Sequence, residues 1–179
     1  MGNGEAASGS GAAAVTVHPA VARLAWRRAW RRADPFLRQG QSFPARVGEV
    51  LFSRLEEIRL TPRRVLDYGC RGGSISPLMA QRWPEAERIV AGPVREMLTG
   101  QPGWGVEADP LRLPFASGSF DLVMASLSLH WSGDLPRALS EARRVLAPGG
   151  LFLGAIPGEG TLGELQSALA AEASSSGGL

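Results

Sequence analysis

The chain has 179 residues, 44% of them hydrophobic and 20% charged, which fits one globular domain and excludes a fibrous or low-complexity chain. Its single cysteine, Cys70, excludes an internal disulfide framework and a multi-cysteine zinc site, and His18 and His130 stand too far apart for a local two-histidine metal motif. All 19 basic residues are arginine against 17 acidic ones, so the net charge of +2 is mild and gives no argument of its own for a nucleic-acid partner.

In chain order, residues 1–16 are Gly, Ala and Ser with almost no bulky side chain, and the expectation is a disordered tail. Residues 17–44 form an arginine- and tryptophan-rich segment and linker. Its stretch Val17–Ala33 carries five arginines, no acid, and Trp26 and Trp30 four apart on one helical side. Three readings stand open for it: an amphipathic docking helix, a mitochondrial targeting segment, or a nucleic-acid or membrane contact. No apolar run approaches the roughly 20 residues of a membrane-spanning helix.

From residue 45 to 179 strands and helices alternate, and a parallel sheet with helices on both faces is expected. The pattern predicts a helix over 45–58 with Val47, Val50, Leu51, Leu55 and Ile58 inward, and a buried strand over 64–68. A helix from about Ser74 to Trp83 stops at Pro84, and weak strands span 87–91 and 104–108. The run Phe120–Ser126 is a strand, Asp134 caps a helix that turns Leu135, Ala138, Leu139, Ala142, Val145 and Leu146 inward, and Gly149–Gly150 turn the chain into a strand over 151–156. A last helix is expected over 161–173, opened by a Thr161–Glu164 capping box.

The first strand runs into Asp67-Tyr-Gly-Cys-Arg-Gly-Gly73, a glycine-rich turn at the strand end where α/β sheets bind ligands. Alone, such a turn also serves steric needs. Further on come Asp109-Pro-Leu-Arg-Leu-Pro-Phe115, Phe120-Asp-Leu-Val-Met-Ala-Ser-Leu-Ser-Leu-His-Trp131 and Leu146-Ala-Pro-Gly-Gly-Leu151. With these blocks the chain resembles the class I S-adenosylmethionine (SAM)-dependent methyltransferases of type 11. It is similar above all to two groups: the malonyl-acyl-carrier-protein methyltransferases, and the mitochondrial complex I assembly factors that hydroxylate an arginine.

The resemblance implies an α/β, three-layer Rossmann-like sheet and SAM as cofactor. Asp67, Gly69, Cys70 and Gly73 match the turn that holds the methionine part, Asp109 the residue that reaches the adenine amino group, and Leu111 its neighbour at the ring. Ser126, Leu127 and Ser128 match the loop that faces the reactive centre. No catalytic residue is assigned; His130 is a candidate general base with a structural alternative beside Trp131.

Two positions depart from the family pattern. Arg71 replaces the middle glycine of the first turn, and Gly92 stands where relatives place the acid that grips both ribose hydroxyls, with Pro93 after it. The expectation is a weakened hold on SAM. About five strands are expected, with the family's last two strands absent. The resemblance implies action on a protein or carrier-bound substrate, in the mitochondrial matrix or the bacterial cytoplasm; the alternative is a catalytically silent scaffold in a larger assembly. A protein substrate or partner complex is expected, nucleic acid and a membrane span are not.

Overall fold

Five strands form one all-parallel sheet, and its inner strands Arg64–Tyr68 and Phe120–Ser126 are buried nearly throughout, as apolar strands covered on both faces are. The computed structural model describes Ala25, Arg28 and residues 43–69, 75–158, 160, 161 and 163–176. The expected tail, nearly all of the Arg/Trp segment, and Cys70, Arg71 and Gly73 lie outside the described residues.

The order along the chain is α1 (Phe43–Ser53), β1 (Arg64–Tyr68), α2 (Ser76–Arg82), β2 (Glu87–Gly92), β3 (Trp104–Glu107), β4 (Phe120–Ser126), α3 (Leu135–Val145), β5 (Leu146–Ala155) and α4 (Gly163–Ser176). Short 3-10 turns at Arg95–Met97 and Leu129–Trp131 follow β2 and β4. Across the sheet the order is β3-β2-β1-β4-β5. The chain therefore steps outward from β1 to β3, crosses back to β4, and leaves a topological switch point between the carboxyl ends of β1 and β4.

Side-chain alternation splits the core in two. Val65, Leu122 and Met124 face one way and pack with Leu51 and Leu55 below α1 and with Ile75 and Met79 at α2. Leu66, Tyr68, Val123 and Ala125 face the other way, against Ala138, Ala142 and Val145 of α3. The α3 cap is as expected: Asp134 Oδ1 accepts from the Arg137 N–H at 3.0 Å.

Several boundaries and faces differ from the sequence pattern. The first helix ends at Ser53, not Ile58, because the next amides bond three residues back (Leu55 to Phe52 at 3.0 Å, Glu56 to Ser53 at 3.0 Å) and tighten the chain out of the α-helix. Ile58, beyond the helix end, is exposed, and so are Val50 within α1 and Leu139 on α3, which the pattern turns inward. The glycine pair Gly149–Gly150 lies inside β5: Phe120 pairs with Leu146 but Leu122 with Leu151, so the intervening residues bulge, with Gly149 at φ 77°. The last helix begins at Gly163, two residues beyond Thr161, which belongs to a turn closed on Gly158.

Among the described residues no helix is long and apolar enough to cross a membrane. The fully buried Leu122, at the centre of the sheet, sets the scale of core packing. Leu122→Ala is expected to destabilise the chain by about 2–5 kcal/mol, read as a lower midpoint in denaturant unfolding; an unchanged midpoint contradicts the assigned core.

Candidate active site

The carboxyl edge of the sheet is stitched by hydrogen bonds made just beyond the strands. Gly69 N–H donates to Ala91 C=O at 2.7 Å, Ala108 N–H to Gly92 C=O at 2.9 Å, and Leu127 N–H to Ala155 C=O at 2.8 Å. The Ser128 hydroxyl donates to Tyr68 C=O at 2.8 Å, joining β1 to the loop after β4. These bonds fix the ends of all five strands against one another and bring together residues 67–69, 92, 108–111 and 126–128.

At β1 the chain turns at Gly69 with φ 79°, a left-handed conformation that glycine adopts without strain. A Cβ there would lie 2.5 Å from Ser128 Cβ and 2.8 Å from its Oγ, so only glycine permits this approach. Asp67 is buried and accepts a 2.5 Å hydrogen bond from the hydroxyl of Ser76, the first residue of α2. This contact ties β1 to the first residue of α2. Ser76 carried no signal of its own in the sequence.

Beyond β4, Leu127 is a non-glycine residue held at φ 49°, a conformation that costs of order 1–3 kcal/mol and persists where surrounding contacts over-determine it. Its neighbour Ser126 is 4% exposed, and its hydroxyl has no hydrogen-bond partner among the described residues. By strand alternation Ser126 follows Leu122 and Met124, on the face that Asp67 shares with Val65. A buried polar group without a protein partner calls for an explanation.

The β3–β4 connection supplies the third wall. Asp109 is exposed and spends Oδ1 on the Leu111 amide at 2.9 Å, closing a tight turn. Leu111 is half-buried and packs at the rim of the α3-side core. The Tyr68 phenol, fully buried, donates to Pro110 C=O. Burial first, and then the negative charges of Glu141 and Asp109, push that phenol well above its ordinary range, which keeps it a donor.

The remaining expected residues stand at different distances from this edge. Gly92 closes β2, buried; a Cβ there would meet Leu98 Cδ2 at 3.3 Å and Met97 Cβ at 3.7 Å, contacts a flexible leucine can relax. His130 is half-buried in the 3-10 turn after Ser128, its ring 5.2 Å from that of Trp131. Among the described residues no group of three His, Cys, Asp or Glu is placed to hold a metal ion.

Two outcomes follow from these contacts. Ser126→Ala removes a buried hydroxyl without a partner and is expected to raise the stability of the ligand-free chain by about 1 kcal/mol, measured by denaturant unfolding; a clear loss contradicts its unpartnered state. Glu141, on α3, has its carboxyl held below the usual range by its hydrogen bond to Arg144. A depressed folded-state pKa contributes stability that is present above the ordinary carboxylate range and is lost as the pH falls below that range through the depressed value. Glu141→Gln should therefore lose stability less steeply on acidification than the parent, and an identical acid limb would overturn this.

Comparison with known proteins agrees with this geometry. The family model of a methyltransferase domain, type 11, matches residues 66–154. A malonyl-[acyl-carrier protein] O-methyltransferase of Legionella pneumophila is 35% identical over 133 residues, covering 70% of this chain and 47% of the relative. The mitochondrial arginine-hydroxylase NDUFAF5 of Homo sapiens is 34% identical over 144 residues, covering 78% of this chain and 42% of the relative. The chain thus spans about half the length of the curated relatives it matches. Among solved structures, the PH0226 protein of Pyrococcus horikoshii aligns with a TM-score of 0.58 at 22% identity over 74% of this chain and 65% of that one. A Burkholderia thailandensis 1,6-didemethyltoxoflavin-N1-methyltransferase, solved with S-adenosylhomocysteine, aligns with a TM-score of 0.57 at 16% identity over 78% of this chain and 64% of that one. Both likenesses are of fold. Taken with the strand order, the match over residues 66–154 places that stretch of the chain in the type 11 methyltransferase domain family.

Proposed function

We propose that this chain binds SAM across the carboxyl ends of β1, β2 and β4 and serves methyl-group transfer to a protein or carrier-bound substrate. The observation that carries the reading is the unpartnered, buried Ser126 hydroxyl at the switch point, beside the glycine turn that Ser128 closes. The residues present fit the group: Asp67 and Gly69 at the methionine end, Asp109 and Leu111 at the adenine, and Ser126, Leu127 and Ser128 at the reacting end. Bound there, SAM supplies an electrophilic methyl group on its sulfonium.

What the chain's own residues do is orient and exclude water. The Asp67–Ser76 hydrogen bond fixes where β1 hands over to the turn, and the buried side chains of Leu127 and Leu129 dry the wall after β4. Asp109 offers a carboxylate from a turn already closed on Leu111, so little ordering accompanies adenine binding. The family membership of the two kinds of curated relatives supports a carrier-bound or a protein substrate. One relative is named for mitochondria, and the proposal places this chain in the mitochondrial matrix if its source is eukaryotic, otherwise in the bacterial cytoplasm.

A second reading, a silent scaffold with this fold, is favoured by one observation. Gly92 provides no carboxylate at the end of β2, and Pro93 no backbone N–H. Losing a charged two-point hydrogen bond weakens binding by roughly one to two decades.

Calorimetric titration with SAM decides between them. The proposal expects saturable one-to-one binding with a dissociation constant above the low-micromolar range, and roughly ten- to hundredfold tighter binding in Gly92→Asp, made also with Pro93→Leu. No heat of binding in the parent or in either variant at millimolar SAM would overturn the cofactor reading and leave the scaffold.

A further inference from the structure

The segment Asp109–Phe115 contains the two residues proposed to meet adenine, yet it belongs to no strand or helix. Beside its own Asp109–Leu111 turn bond, its conformation is held by side chains from other elements, all acting on its main chain. From α3, Arg137 Nε donates to Leu111 C=O at 3.1 Å, and Glu141 Oε2 accepts from the Leu113 N–H at 2.8 Å. Arg144 donates through Nη2 to Leu113 C=O at 2.9 Å and through Nη1 to Phe115 C=O at 2.7 Å. Two further bonds, Nε to Oε1 at 2.9 Å and Nη2 to Oε2 at 2.8 Å, hold Arg144 to Glu141 as a fork. From the sheet, the buried Tyr68 phenol donates to Pro110 C=O.

The four carbonyls of Pro110, Leu111, Leu113 and Phe115 and the amide of Leu113 are thus engaged by residues 26 to 42 positions away in sequence. None of these bonds uses a side chain of the segment itself. The backbone is locked while the second Asp109 carboxylate oxygen and the exposed part of the half-buried Leu111 side chain stay available to a ligand. Glu141 and Arg144 are adjacent turns of one helix face, three apart, and the same helix buries Ala138, Ala142 and Val145 in the core. The lock is therefore tied to the sheet through packing and does not depend on a ligand to form.

We propose that Tyr68, Arg137, Glu141 and Arg144 are positioning residues that pre-form the adenine-binding segment, so that affinity for an adenine nucleoside is set by α3 and by the β1 tyrosine without their touching the ligand. The inference rests on the SAM reading above. Its physical content is that a segment ordered in advance loses little conformational entropy on binding, whereas a loosened one must be ordered by the ligand.

The test uses the full chain, hydrogen exchange without ligand, and calorimetry with S-adenosylhomocysteine, on the parent and on Glu141→Ala, Glu141→Gln and Tyr68→Phe. In Glu141→Ala, exchange at the Leu113 amide and through 109–115 should rise roughly tenfold or more while β1 and β4 stay protected, and S-adenosylhomocysteine should bind roughly tenfold more weakly. Glu141→Gln keeps an acceptor for Leu113 and should recover most of both. Tyr68→Phe removes one oxygen and should loosen the segment in the same direction; it carries the decision if Glu141→Ala loosens the strands as well. Faster exchange with unchanged affinity, or unchanged exchange in both Glu141→Ala and Tyr68→Phe, overturns the inference. A parent that protects the segment yet binds no S-adenosylhomocysteine instead overturns the cofactor reading, and the positioning role falls with it.

Discussion

The close approach of Ser128 to Gly69 governs the rest of this molecule. A left-handed turn at φ 79° lets β1 end directly beneath the loop after β4, with no room for a Cβ. Because the Ser128 hydroxyl also bonds Tyr68 C=O, the two strands flanking the switch point are joined at their carboxyl ends as well as along their ladder. The same turn hands Gly69 N–H to β2 through Ala91. One glycine thus fixes where three strands end, and every candidate ligand contact is measured from that edge. The strain at Leu127 is sustained by the same seam, since its amide is held by Ala155.

Rigidity and ligand contact are divided between different residues. Buried strands and the inward face of α3 supply the framework, and polar side chains on that framework hold irregular segments by their main chains. Tyr68 shows the economy of this arrangement: its ring fills the core on the α3 face while its hydroxyl fixes Pro110. Of the residues proposed to meet the cofactor, Asp109 spends one oxygen on its own turn, Leu111 packs at the rim of the core, and the Ser126 hydroxyl has no partner among the described residues.

How much of this the sequence disclosed depends on the range of the interaction. The spans of β1 and β4 were legible to the residue because each is an apolar run bounded by polar or turn residues. The end of α1 was not, since the apolar stripe continues through Ile58 while the backbone tightens after Ser53. The pair Gly149–Gly150 reads as a turn, but a bulge inside β5 needs the same conformational freedom. At the site, Asp67, Gly69, Asp109 and Ser126–Ser128 could be named through a family resemblance carried by local motifs. Ser76, Tyr68 and Glu141 could not, because their hydrogen bonds cross 9, 42 and 28 residues and no local pattern announces them.

The central claim is that the carboxyl edge stitched around Gly69 is a cofactor cradle in which the Ser126 hydroxyl meets the ligand. A crystal structure of the chain grown with S-adenosylhomocysteine tests it most directly. The cradle predicts the adenine beside Asp109 and Leu111, and a ligand atom or an ordered water touching the ligand within hydrogen-bond distance of Ser126 Oγ. Ligand density elsewhere on the molecule, or a Ser126 hydroxyl satisfied by the protein's own backbone with the ligand absent from the edge, would contradict it.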